Sequence, residues 1–421
     1  MSNSWAQRDD ISSVSPVWFS TVLKKIHTQQ LKIGMHIHDL DADWMEHPFV
    51  STRFTLDDQQ QIDQIKAAGI EQVVIDTEKG LDCAGGETVD AVQAVLQETF
   101  DKPHAKKTVH QKQVRAVEEF SHARDIYREA TQVIHRLMED VRLGKQVELE
   151  QLEPVAEKIV SSVFRNKDAL ISLTRIKNRD YYTFMHCVSV SGLMSTFAHS
   201  QGMELERIKQ IALGGLLHDI GKTQIPLEIL NKPGKLTDAE FEVMKSHVLH
   251  GVGLLGEVEG LTADAIDVVS MHHERFDGSG YPRGLKGNEI SMVGQMSMMV
   301  DVYDALTSVR CYKDAWEPSF TLKKLLEWSD TQFNRELVES YIRSLGIYPV
   351  GSLVQLQSGL VGIVMEQHES DLLRPDIRII YNSRFEKYVQ VKDVRLCRLP
   401  EDHIVQAVSP EKYHIDLAAF I

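Results

Sequence analysis

From residue 150 to about residue 345 the apolar residues recur at three- and four-residue steps, segment after segment, with short breaks between them. That period belongs to stacked amphipathic helices and rules out a sheet over nearly half of the chain. One long interruption, Asp277-Gly-Ser-Gly-Tyr-Pro-Arg-Gly-Leu-Lys-Gly, is too rich in glycine to be helical. Whatever chemistry the region performs must therefore be built from helix ends, helix faces and one irregular loop.

The flanking segments differ. Residues 23–40 alternate short apolar and polar runs around Gly34, which reads as two short strands with a turn. Ile62, Ile65 and Ala68 follow at helical spacing and stop at Gly69, and Gln72-Val-Val-Ile-Asp reads as a buried strand. Gln111 to Arg142 contains no Gly or Pro, and Val114, Ala116, Val117, Phe120, Ala123, Ile126 and Tyr127 fall at helical steps. This predicts a connecting helix with an apolar stripe suited to a bundle or to a homodimer. Gly351-Ser-Leu-Val-Gln-Leu, Leu360-Val-Gly-Ile-Val-Met and Ile377-Arg-Ile-Ile-Tyr read as strands. The expected protein is mainly α. It has a small α+β domain over residues 1–80, a helical linker over 81–150, an all-helical domain over 151–350 and a β-rich appendage over 351–421.

Charge and composition narrow the function. A net charge of -15 on 421 residues leaves no broad basic surface for DNA or RNA, although a few Lys and Arg beside a metal can still hold a small anion. No apolar run approaches the ~18 residues of a membrane span, and the N-terminus lacks a basic region followed by an apolar one. Cys83, Cys187, Cys311 and Cys397 are scattered and form no CxxC pair. They read as reduced thiols in a cytoplasmic protein.

Into the helical region fall His218-Asp219, within the apolar stretch Ile211-Ala-Leu-Gly-Gly-Leu-Leu-His-Asp-Ile-Gly-Lys, and the doublet His272-His273. An imidazole and a carboxylate placed among apolar residues need a partner to offset desolvation, and a divalent metal is one. Adjacent helical residues point about 100° apart, so a doublet at a helix end can reach two ions. His186, His247 and Asp301 complete the inventory of a two-metal hydrolytic centre in a bundle core. Taken singly, His218-Asp219 fits equally well as a buried, hydrogen-bonded pair, and His186, His247 and Asp301 fit better as solvated or hydrogen-bonded groups.

Together these residues resemble a known family. His-Asp-Ile-Gly-Lys-x-x-Ile-Pro (His218 to Pro226), Ile229-Leu-Asn-Lys-Pro-Gly-Lys-Leu-Thr, Met244-Lys-Ser-His, His272-His-Glu-Arg-Phe-Asp-Gly-Ser-Gly-Tyr-Pro and Asp301-Val-Tyr-Asp-Ala-Leu-Thr-Ser are similar, in order, to the HD-GYP phosphodiesterases of the HD superfamily. The resemblance runs from about Leu173 to Gly351. Residues 20 to 80 resemble the small domain of unknown function often found ahead of HD-GYP domains.

The resemblance implies an HD-type catalytic domain that hydrolyses cyclic di-GMP or a mixed cyclic GMP-AMP, through attack by a hydroxide bridging two metal ions. It implies metal ligation by His186, His218, Asp219, His247, His272, His273 and Asp301, with Asp219 as the bridge. It places Lys222 toward the scissile phosphate, and Tyr281, Arg275, Arg283, Arg310 and Lys313 at the substrate. Some members carry a carboxylate one turn before the first histidine, where a third metal binds. Tyr182 stands there in this chain, which predicts two divalent transition metals, iron or manganese. Asp304 is expected to orient a ligand rather than to act on substrate. The rival reading is an inactive module that binds a cyclic dinucleotide.

Overall fold

The computed structural model describes residues 23–40, 54–77, 79–83, 87–88, 114–174, 182–256, 258–308, 315–368 and 371–420. The chain divides into two compact units, Met1–Gln93 and Ala94–Ile421. Among the described residues no helix is long and apolar enough to cross a membrane. Cys83, Cys187 and Cys397 carry free thiols.

Among its described residues the first unit is a small antiparallel sheet with one α-helix. Strands β1 (Leu23–His27), β2 (His36–Asp39), β3 (Phe54–Thr55), β4 (Gln72–Asp76) and β5 (Glu87–Thr88) lie in the order β3-β2-β4-β1-β5. The pairing of β1 with β4 runs from Leu23 opposite Asp76 to His27 opposite Gln72. Helix α1 (Gln59–Ala67) starts where the Asp58 side chain accepts the Gln61 amide, and it buries Ile62 and Ile65. These two join Ile26, Met35, Ile37, Leu40, Leu56, Val73 and Ile75 in one core.

The second unit is helical and ends in a sheet. Its helices are α2 (Ala116–Arg142), α3 (Glu153–Thr174), α4 (Tyr182–Ser200), α5 (Leu205–Leu217), α6 (Leu227–Leu230), α7 (Asp238–Lys245), α8 (His247–Leu255), α9 (Ala263–Met271), α10 (Met292–Thr307), α11 (Pro318–Glu327) and α12 (Arg335–Leu345). Strands β6 (Leu353–Leu356), β7 (Leu360–Glu366), β8 (Asp376–Asn382), β9 (Lys387–Arg395) and β10 (Ile404–Ala407) form an antiparallel sheet in the order β10-β6-β7-β8-β9.

Helix α2 spends its apolar stripe inside the chain. Ala123, Ile126, Tyr127, Ala130, Ile134 and Leu137 are buried, and α2 packs on α3 and α4. The Tyr127 hydroxyl donates to the Met185 carbonyl at 3.0 Å and meets Ser189 Oγ at 2.8 Å. Arg165 grips the buried Glu119 carboxylate through two 2.8 Å hydrogen bonds, locking α3 to α2. The linker helix is thus a wall of the helical domain.

Helix α4 is buried from His186 to Ala198, as expected of a helix at the centre of a bundle. Close approach to it needs a missing side chain. A Cβ on Gly215 would lie 2.7 Å from Ser191 Cα, so α5 crosses α4 nearly backbone to backbone. Its neighbour Gly214 does the same against α9, where a Cβ would lie 2.8 Å from the Ala265 carbonyl oxygen. The Gly214-Gly215 pair therefore draws the histidine-bearing helices α4, α5 and α9 together.

Candidate metal centre

Three of the site histidines sit just beyond a helix, where backbone carbonyls lack an intrahelical partner. His218 is the C-cap of α5 and His272 the C-cap of α9, while His247 follows the end of α7. Each Nδ1–H donates to the carbonyl three residues back: His218 to Gly215 at 2.9 Å, His247 to Met244 at 2.7 Å, His272 to Val269 at 2.8 Å. A carbonyl oxygen only accepts, so the proton is on Nδ1 in all three rings. The Nε2 atoms then face the centre. His186, within α4, is turned the same way by Asp304, whose Oδ2 accepts from Nδ1 at 2.6 Å.

The sequence reading placed His218-Asp219 inside a helix, but α5 stops at Leu217 and Asp219 leads into a 3-10 turn, Ile220–Gln224. Gly221 explains how the turn fits. A Cβ there would stand 1.8 Å from the His247 carbonyl oxygen, so the turn lies directly on the start of α8.

Among the described residues this gives two nests of ligand atoms that share no residue. His186, His218 and Asp301 form one, and His247, His272 and His273 the other. Asp219 lies between them. Its Oδ2 is 3.4 Å from His218 Nε2, and its Oδ1 is 3.6 Å from His247 Nε2 and 4.0 Å from His272 Nε2. Asp301 is placed alike, with Oδ1 3.0 Å from His186 Nε2 and Oδ2 3.8 Å from His273 Nδ1. His186, His218, Asp219, His247, His272 and Asp301 are each at most 7% exposed.

The electrostatics call for cations. Burial pushes the Asp219 and Asp301 carboxyls up, yet both are held well below the usual carboxylate range. Lys222 and His218 act on Asp219, and His186 and His273 on Asp301. Lys222 Nζ sits 2.6 Å from Asp219 Oδ2. Burial opposes charge on His218, but the Asp219 carboxylate outweighs it and keeps a proton there well above the usual histidine range. His247 and His272 go the other way. Burial lowers them to about 4 and about 3, with the neighbouring positive groups adding to the effect.

His247 and His272 are neutral and protonated on Nδ1, so two Nε2 lone pairs face each other at 3.3 Å. Two acceptors cannot bond to one another. A distance of about 3.3 Å is that between two ligands of one tetrahedral ion with bonds of about 2.0–2.1 Å. Among the described residues nothing donates a hydrogen bond to the fully buried Asp219 Oδ1. An imidazole pair with converging lone pairs, beside an orphaned carboxylate oxygen, fits a divalent transition metal.

The loop that follows His273 closes over this centre. Tyr281 stacks on the His273 ring, with centroids 4.7 Å apart and planes at 30°, and its N–H donates to the His273 carbonyl at 3.0 Å. The Tyr281–Pro282 peptide is cis. Arg275 points inward, with its guanidinium over the Phe333 ring and donating to the Glu274 carbonyl. Arg283 is exposed. Arg310 and Lys313 lie outside the described residues. Tyr182 stacks parallel to His186 at 5.8 Å and offers no carboxylate.

Sequence reasoning missed several neighbours. Phe241 meets Tyr281 edge to face at 6.3 Å, and Lys245 Nζ lies 5.4 Å from the Phe241 centroid and 5.8 Å from that of Tyr281. Cys187, next to His186, brings its thiol within 4.8 Å of ligand atoms of His218 and Asp219. Glu274, fully buried, was passed over inside the Gly-rich motif. None carries a spacing signal. Each earns its place only through the fold.

An all-helical domain with a buried His/Asp centre of this kind is an HD domain, and residues 154–337 match that domain family. Residues 23–152 match a domain of unknown function, DUF3391. The chain is 36% identical over 386 residues to a cyclic di-GMP phosphodiesterase of Pseudomonas aeruginosa, covering 91% of this chain and 92% of that one. A cyclic di-GMP phosphodiesterase of Thermotoga maritima is 35% identical over 198 residues, 46% of this chain and 53% of its own length. A 3'3'-cGAMP-specific phosphodiesterase of Vibrio cholerae is 36% identical over 165 residues, 39% of this chain and 32% of its own. The chain belongs to the HD-GYP family of metal-dependent phosphohydrolases.

Proposed function

We propose that this chain is a cytoplasmic phosphodiesterase that hydrolyses a cyclic dinucleotide, cyclic di-GMP or a mixed cyclic GMP-AMP, using two transition metal ions, iron or manganese. The observation that carries this reading is the pair of buried ligand nests straddled by Asp219. His186, His218 and Asp301 would hold one ion, His247, His272 and His273 the other, with Asp219 shared. Bound there, the ions supply Lewis acidity and lower the pKa of water toward neutrality.

The chain's own residues supply the rest. Charge gathers on the phosphoryl oxygens as a phosphodiester is attacked in line, and a fixed cation at that point lowers the barrier. Lys222 is that cation: its Nζ already lies against the inner carboxylate, and its side chain is about a quarter exposed (26%), so it faces both the centre and an incoming anion. The carbonyls behind His218, His247 and His272 hold the ligand rings with no reorganisation during turnover. Asp304 does the same for His186. Tyr281 and Phe241 offer ring faces and edges to a purine, with Lys245 beside them for its phosphate.

The relatives include enzymes named for cyclic di-GMP and for 3'3'-cGAMP, which supports the substrate class and leaves either base pattern open. The test is a panel of cyclic dinucleotides incubated with iron- or manganese-reconstituted protein, with products separated by chromatography. At least one is expected to be opened. Failure to cleave any of them with either metal overturns the reading.

A further inference from the structure

Glu274 follows the two doublet histidines and is wholly buried. A carboxylate in that position is costly unless its oxygens are hydrogen-bonded. Here both are. Oε1 accepts the Arg283 amide and Oε2 the Leu285 amide, each at 2.9 Å, so the two oxygens clamp the loop on either side of Gly284. The surrounding chain is neither helix nor strand, and the carboxylate takes the place of a strand partner.

Other ties fasten the loop to the same short stretch. The Gly278 amide donates to the Arg275 carbonyl at 2.9 Å, and the Gly287 amide to the Phe276 carbonyl at 2.8 Å. At Gly280 a Cβ would stand 2.2 Å from the Arg275 nitrogen, so the loop backbone lies flat on residues 274–275. These contacts place Tyr281 between His273 and Phe241. Removing the clamp frees the far half of the loop, 283–285, without touching a metal-facing atom.

We infer that Glu274 is a positioning residue: its carboxylate holds the Gly-rich loop, and with it Tyr281, over the metal centre. The kinetic half of this inference rests on the phosphodiesterase reading, and the structural half does not. Glutamine at 274 keeps the size but turns one acceptor into a donor facing an amide N–H, so one of the two bonds is lost. Alanine loses both.

Glu274→Gln and Glu274→Ala, made in the full chain, are compared with wild type by two measurements. The first is the rate of tryptic cleavage after Arg283 and Lys286, both exposed, read by mass spectrometry under conditions where the wild type stays folded. The second is KM and kcat for the cyclic dinucleotide the wild type cleaves, with metal content measured in parallel. Cleavage is expected to quicken in the order wild type, Gln, Ala, by about tenfold for Gln, the worth of one charge-assisted hydrogen bond, and by more for Ala, which loses both. KM is expected to rise in the same order with metal content unchanged. Cleavage rates and KM both within twofold of wild type overturn the inference, and so does metal loss in step with loop cleavage, which marks a general collapse. A wild type that hydrolyses no dinucleotide sinks the phosphodiesterase reading, and the tryptic rates alone then decide the role of Glu274.

Discussion

Replacing Asp304 by asparagine probes how the His186 ring is held. The Asp304 carboxylate accepts from His186 Nδ1 at 2.6 Å, and both groups are buried. Asparagine is isosteric and can still accept that proton through its amide oxygen, so the fold is kept while the charge is removed. A charge-assisted hydrogen bond in such a place contributes roughly 1.5–3 kcal/mol and the neutral bond that asparagine keeps about 0.5–1.5, so the exchange costs about 1–1.5 kcal/mol. At 1.4 kcal/mol per decade this is about a 5- to 10-fold loss of affinity at the nest containing His186. Metal-stripped protein titrated with manganese in a calorimeter, or against a competing chelator, measures it. Circular dichroism confirms that the variant is folded. One class of site is expected to weaken by that factor while the other holds. A variant that binds both ions within twofold of wild type refutes the assignment of Asp304 as the group that orients His186.

Three further outcomes follow from the same geometry. Lys222→Ala is expected to keep its metal content while kcat falls about 100-fold, the usual loss on removing one preorganised donor to a developing charge, read by steady-state kinetics beside elemental analysis. Gly221→Ala puts a Cβ 1.8 Å from the His247 carbonyl oxygen. It is expected to cost at least roughly 2 kcal/mol and to release metal, seen as a lower Tm and lower bound metal. Metal-stripped protein is expected to be less stable in urea at pH 5 than at pH 7.5. His247 and His272 stay neutral in the fold down to about 4 and about 3, whereas in the unfolded chain they take up protons below about 6.5. Each therefore removes about 2 kcal/mol at pH 5. His273, held well below the usual histidine range by burial, adds to this loss, while His218, raised beside Asp219, acts in the opposite sense. Equal urea midpoints at the two pH values contradict these directions.

Much of the centre was legible before the fold was known, because it is written in doublets and in a loop too rich in glycine to be helical. The ligand residues the motifs pointed to lie together, and the His272-His273 doublet does stand at a helix end. Other features escaped because they depend on tertiary approach. The carbonyls that orient His218, His247 and His272 belong to helix termini whose limits periodicity cannot place to a residue. Asp304 was expected to orient a ligand, but that the ligand is His186 shows only when α10 lies beside α4. Glu274 looks like one more charged residue until the loop folds back on it. The apolar stripe of α2 was visible in the sequence, but not whether it faced a second chain or its own. The structure puts it against α3 and α4. Arg275 read as a substrate contact because it is a cation beside the motif, and the fold adds that its guanidinium lies over Phe333.

If the two nests joined by Asp219 are one hydrolytic metal centre, bound metal and hydrolysis must rise together. The most direct test strips the protein of metal, returns manganese or iron in measured increments, and follows both bound metal and the initial rate of dinucleotide opening in the same samples. No rate is expected without metal, then a rate that climbs as the second nest fills and saturates near two ions per chain. Full activity in stripped protein, or two bound ions with no hydrolysis of any cyclic dinucleotide, contradicts that expectation.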